Sequence, residues 1–159
     1  MPDNVHVFKA SYDLQSKVGK GPLDEDTVRR CQAVLDREAS GFEDLAGDIL
    51  DRLELAIEKA RLGKHNENDL IEAMTQPVME LKANARMFKY GLVSSLANIM
   101  LGFLESIEKL DKDAIEIVSA HQKTLHAIIS REMKGDGGEY GVLLEKELRD
   151  AIRRYFSKR

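Results

Sequence analysis

Across residues 24–62, apolar side chains recur with spacings of three and four: Val28, Cys31, Leu35, Phe42, Leu45, Ile49, Leu53, Ile57 and Ala60. Those intervals return a side chain to the same face of an α-helix, so the segment reads as helix with one buried stripe. As a single rod it would run about 58 Å at 1.5 Å per residue. That is too long for a chain of 159 residues to cover. Ser40-Gly41-Phe42-Glu43 offers the place to break it. It has the form of a capping box, in which Ser40 caps a new helix and Glu43 reaches back.

The rest of the chain is punctuated in the same way. Residues 63–68 make a polar connection, and Asn66 or Asn68 caps the next helix, which reaches Tyr90 and ends on Gly91 as a left-handed C-cap. A strongly apolar third helix covers residues 92–110, and a fourth, capped by Asp111 or Asp113, runs to Met133. Four glycines within residues 134–141 mark a loop. Residues 142–156 form a last amphipathic helix, with Leu143, Leu144, Leu148, Ile152 and Phe156 inward. Residues 1–22 are expected as an extended arm, and residues 23–159 as one domain. Short connections favour antiparallel neighbours. The expected fold class is therefore all-α, an antiparallel four-helix bundle with extra N-terminal and C-terminal helical elements.

Composition narrows the functional classes. The chain is 43% hydrophobic and 33% charged, the balance of a globular domain. No apolar run approaches the roughly 20 residues that span a bilayer, and no signal sequence is visible. Cys31 is the single cysteine and supports neither an internal disulfide nor a cysteine metal site. A cytoplasmic location is expected. A net charge of −4 weighs against nucleic acid as the partner. The histidines, His6, His65, His121 and His126, form no His-x-x-x-His pair, so no metal site is expected. His121 shares an inner stripe with Ala114, Val118, Leu125 and Ile128, the pattern of a core histidine. The glycine-rich segment lacks the Gly-Lys-Ser/Thr ending of a nucleotide loop, so no cofactor is expected either.

One helix carries a stronger signal. Ile71, Met74, Val78, Leu81, Ala85 and Phe88 fall on a core-facing stripe; Met79, Lys82, Ala83, Arg86 and Tyr90 fall on a solvent-facing one. Pro77 interrupts this helix, and inside a helix proline typically costs ~3 kcal/mol or more. A kink or a new helix start is expected there.

The sequence Met79-Glu80-Leu81-Lys82-Ala83, continuing to Phe88-Lys89-Tyr90-Gly91-Leu92-Val93, resembles the active helix of bacterial histidine phosphotransfer (Hpt) domains. That helix reads roughly His-x-Leu-Lys-Gly, four variable residues, Phe, Gly. Leu81, Lys82 and Phe88 keep their places, Met79 stands at the phosphoacceptor histidine, and Ala83 and Lys89 stand at the two glycines. Phe88 to Val93 is also similar to the Phe-Gly-Tyr-Pro-Leu-Val segment of a group of small alphaproteobacterial Hpt-like proteins. Leu14-Gln15-Ser16-Lys17-Val18-Gly19, Ala120-His121 and the glycine-rich segment resemble the same group.

The resemblance implies a bundle of Hpt type that is not an enzyme. It would be a non-catalytic scaffold or regulator in two-component signalling. Met79, Lys82, Ala83, Arg86 and Lys89 would bind a response-regulator receiver domain or a histidine kinase. Two other readings stay open: an active phosphotransfer protein using His121 or His126, and a structural helical bundle that forms a homodimer.

Overall fold

The computed structural model describes residues 16–17, 21, 24–38, 41–63 and 66–158. Among them, six long helices follow in chain order: α1 (Glu25–Glu38), α2 (Phe42–Leu62), α3 (Glu67–Met87), α4 (Gly91–Ser106), α5 (Lys112–Ser130) and α6 (Gly138–Ser157). No strand occurs among the described residues, so the chain is all-α. None of the described helices is long and apolar enough to cross a membrane. The expected arm over residues 1–22 lies outside the described residues apart from Ser16, Lys17 and Gly21, and so does Ser40 of the expected capping box.

The chain divides into two compact units, Met1–Val34 and Leu35–Arg159. In the first, Asp24 caps α1 by accepting the Thr27 amide at 3.1 Å. Val28 and Val34 are half exposed and Cys31 is exposed. Among the residues whose burial is described, the buried stripe expected through Val28 and Cys31 is seen from Phe42 onward. Periodicity marks a face that is able to be buried, and burial needs a second element against it.

In the second unit the break near Gly41 is real: α1 ends at Glu38 and α2 starts at Phe42. Gly41 makes no side-chain cap, and Glu43 turns to the Tyr90 hydroxyl, which donates to its Oε1. Gly63 closes α2 in the left-handed conformation, φ 65°, with its N–H on the Ala60 carbonyl. Asn66 is the cap of α3, accepting the Asn68 amide at 2.8 Å. α3 runs through Pro77 without ending or restarting. Gly91 is not the left-handed C-cap expected; it opens α4, and Lys89 takes the positive φ of 66° instead. α4 stops at Ser106, short of the expected 110, yet Ile107 and Leu110 stay buried in the link. Asp111, the first of the two candidate caps, accepts the Ala114 amide at 2.8 Å.

α3 packs on α2 and α4, α5 packs on the same two helices, and α6 lies on α4 and α5. Phe42, Leu53, Met74, Leu81, Leu96, Met100, Val118 and Leu125 form the solvent-free centre. The last helix corrects the sequence reading twice. It begins at Gly138 rather than 142, and its buried side chains are Leu148 and Tyr155, with Leu143 and Phe156 exposed. Tyr155 meets the Phe103 ring edge-on at 5.2 Å. Phe156 also reaches Phe103, at 5.9 Å, but stays 42% exposed while Tyr155 is buried.

The glycine-rich segment is a fitted joint. The Gly135 carbonyl accepts the Leu92 amide at 2.8 Å, and the Gly135 amide donates to the Lys89 carbonyl at 2.6 Å. A Cβ on Gly141 would stand 2.1 Å from the Asp136 carbonyl oxygen, whereas one on Gly47, inside α2, meets nothing within 4 Å. Gly141→Ala is thus expected to lower stability by about 2 kcal/mol or more, and Gly47→Ala to raise it by about 0.5–1 kcal/mol. Urea unfolding of both variants measures the contrast.

Candidate functional site

Residues 79, 82, 83 and 86 lie on one face of α3 because steps of three and four return to the same side of a helix. Met79 is 49% exposed, Ala83 and Arg86 are exposed, and Lys82 is half-buried. Beneath them Pro77, Val78, Leu81 and Ala85 are buried and fix the rotation of the helix. Arg52 on α2 pairs with Glu80 at 2.5 Å. The Ser94 hydroxyl on α4 donates to the Lys82 carbonyl at 3.2 Å.

These side chains border two connected clefts. Met79, Lys82, Ala83 and Arg86, with Ser94 and Leu101 of α4, line one of about 340 Å³. Lys82, Arg86 and Ser94 also line a second of about 550 Å³, bounded by Gly91, Leu92, Ser95 and Asn98 on one side and by Asp136 and Glu145 on the other. Lys89 lines neither; it is exposed in the turn after α3. The sequence reading missed Ser94, Asn98 and Leu101. Their spacing places them along one edge of α4, but only the packing of α3 beside that edge makes it part of a cleft.

The electrostatics are one-sided on α3. Lys82 and Arg86 have no carboxylate partner among the described residues. Glu145 is paired with Arg149 at 3.8 Å, and Asp136 Oδ1 accepts the Gly138 amide at 3.0 Å. Two uncompensated cations therefore flank an exposed thioether. A thioether has no lone pair basic enough to take a phosphoryl group, but its flexible, polarizable chain suits an interface contact.

Tyr90 departs from the expected solvent-facing stripe. It is fully buried, its ring 4.7 Å from that of Phe42, which also stacks on Phe88 at 5.1 Å. α3 ends at Met87, so residue 90 no longer follows its helical phase and folds back inward. Lys134 Nζ lies 5.7 Å from the Tyr90 ring centroid, a cation–π contact. Burial first, and then the bond to Glu43, push the Tyr90 phenol well above its ordinary range. Accepting that bond holds the Glu43 carboxyl below the usual 4.5.

Of the histidines, His6 and His65 lie outside the described residues. His121 is fully buried; its Nδ1 sits 2.8 Å from the Ile117 carbonyl, and Nε2 has no hydrogen-bond partner. Burial lowers its pKa below the usual 6.5, against the raising effect of the Ile117 carbonyl. His126 is exposed, with Nδ1 3.3 Å from the Ser130 hydroxyl, and lines a cleft shared with Glu43, Asp44 and Glu132.

Comparison with protein-family models, curated proteins and solved structures gives no match.

Two outcomes follow from this geometry. Lys89→Gly removes the Cβ from a left-handed residue and is expected to stabilise the fold by about 1 kcal/mol in urea unfolding. His121 is harder to protonate folded than unfolded, so the unfolded chain gains the proton first as the pH falls. Stability should therefore decline as pH drops below 6.5, and His121→Leu should flatten that part of the profile. Thermal melts from about pH 5.5 to 7.5 are the check, a window of about one unit either side of the ordinary histidine value.

Proposed function

We propose that this protein is a non-catalytic histidine phosphotransfer-like protein, a pseudo-phosphotransfer member of two-component signalling. It binds a receiver domain or a histidine kinase in the cytoplasm and acts by competition, sequestration or scaffolding. The carrying observation is Met79: it sits half exposed on the outer face of α3, one turn from the unpaired Lys82. The resemblance puts the phosphoacceptor at that position.

Three further features support the reading. The packed pairs α2–α3, α3–α4, α4–α5 and α5–α2 close a ring, the arrangement an antiparallel four-helix bundle of Hpt type requires. Ala83 keeps the face low beside Lys82, so a partner surface can approach closely. Lys82 and Arg86 complement the acidic pocket that receiver domains present, as the resemblance implies. Lys89 stands outside the clefts and contributes to the rim, where charge affects encounter rate more than affinity.

A relay through another histidine has less behind it. His121 is fully buried, out of reach of a second protein. His126 is reachable, but Glu43, Asp44 and Glu132 line the same cleft and would repel an incoming phosphoryl group.

The test is titration against the receiver domains of the source organism by calorimetry. One receiver should bind, and Lys82→Glu with Arg86→Glu should weaken it at least tenfold, or ~1.4 kcal/mol. Absence of binding, or binding indifferent to both charge reversals, would overturn the proposal.

A further inference from the structure

The clefts beside α3 do not stop at α4. The cleft of about 550 Å³ shares Asn98 with a third of about 440 Å³, bordered by Gly102, Ser106, Arg149, Arg153 and Phe156. α6 follows α4 in the same direction: Gly137 and Gly141 approach Leu92 at one end, and Tyr155 and Phe156 approach Phe103 at the other. α3 and α6 thus stand as two walls on either side of α4. The furrow is as long as α4, whose 16 residues span ~24 Å.

Its chemistry is graded. At the Gly91 end it is polar and holds the unpaired Lys82 and Arg86. Toward Ser106, Met79 and Leu101 line the α3 side, and Ile152 and Phe156 the α6 side, where Arg149 and Arg153 add charge. Phe156 is 42% exposed and Met79 is 49% exposed, although both border the furrow. Lys82 and Arg86 line it without a carboxylate partner among the described residues, while Arg149 is held by Glu145 at 3.8 Å and Arg153 by Asp150 at 2.8 Å, exposed pairs that a partner's carboxylates can exchange with.

The geometry points to this furrow as the seat of an acidic amphipathic helix from a partner protein. The inference rests on the proposed docking site and extends it across α4 to the C-terminal helix. A third helix fits between two helix ridges as ridges fit grooves. Its acidic side chains would meet Lys82, Arg86, Arg149 and Arg153, and its apolar face would rest between Met79 and Phe156. A nucleic acid would also answer the cations, but the overall negative charge opposes a polyanion. The exposed Met79 and Phe156 side chains at the other end suit the apolar face of a helix better than a phosphate backbone.

The experiment titrates the full chain with a fluorescent acidic amphipathic peptide of about 16 residues. A lysine-for-glutamate counterpart and a single-stranded DNA oligonucleotide serve as the other probes. The acidic peptide should bind, gain helicity on binding and weaken with salt. Arg149→Glu should cost about tenfold in affinity. Gly102→Leu should do the same by filling the floor, and it should leave the fold intact and raise its stability, since Gly102 lies inside α4 and a Cβ there meets nothing within 4 Å.

If Lys82→Glu and Arg86→Glu abolish peptide binding while Arg149→Glu and Gly102→Leu bind as the parent, the extension to α6 is overturned and the α3 docking face stands. If no variant changes binding, both readings fall. Equal binding of the lysine peptide, or displacement by the oligonucleotide, overturns the acidic-helix assignment.

Discussion

The hydroxyl of Tyr90 on the carboxylate of Glu43 is the contact on which the rest of the structure depends. It joins the first turn of α2 to the turn between α3 and α4, and it lies against the Phe42 and Phe88 rings. Each of these groups is costly to leave unmade. A buried phenol without a partner loses about 1–3 kcal/mol, and aromatic rings of this size dominate the burial energy of a small core. With the turn anchored, Gly135 is held by two backbone bonds to Lys89 and Leu92, so the loop before α6 is placed as well. One residue therefore positions three helices: α3 with its exposed face, α4 as the floor, and α6 as the opposite wall.

That arrangement explains how the exposed face of α3 is held firm. Met79 projects from a helix whose underside is packed with Val78, Leu81 and Ala85, so its exposure is fixed by burial on the other side. Lys82 and Arg86 beside it have no carboxylate partner among the described residues, so on the proposed reading they steer an acidic partner rather than add to internal stability. Exposed pairs elsewhere, such as Arg29 with Asp26 at 2.5 Å, contribute little to the fold.

Much of this was legible in the sequence. The three-and-four spacing located the helices, the inner stripe of α3 and the outward Met79; helix length and a turn pattern marked the break before Phe42, and Asn66 and Asp111 were each one of two candidate caps. The features that escaped depend on residues distant in sequence. Tyr90 looked exposed because its helical phase was carried past the end of α3. Glu43 looked like a local cap because its partner lies 47 residues away. Gly91 looked like the left-handed residue, yet it opens α4 against the Gly135 carbonyl, 3.2 Å from where a Cβ would stand, and Lys89 bears the strained φ instead. On α6 both Tyr155 and Phe156 reach Phe103, and which of the two is buried depends on packing across helices that no periodicity on α6 reveals. The clefts were invisible for the same reason: they exist only where α3 and α6 flank α4.

The central claim is that the α3 face has the geometry for phosphoryl transfer and lacks only the nucleophile. Met79→His tests it most directly, by incubation of the parent and the variant with a phosphorylated receiver domain and chromatographic detection of phosphohistidine. The account predicts acid-labile phosphate on the variant and none on the parent. Phosphate on the parent chain, or a well-folded variant that stays unlabelled by a receiver it binds, would contradict it.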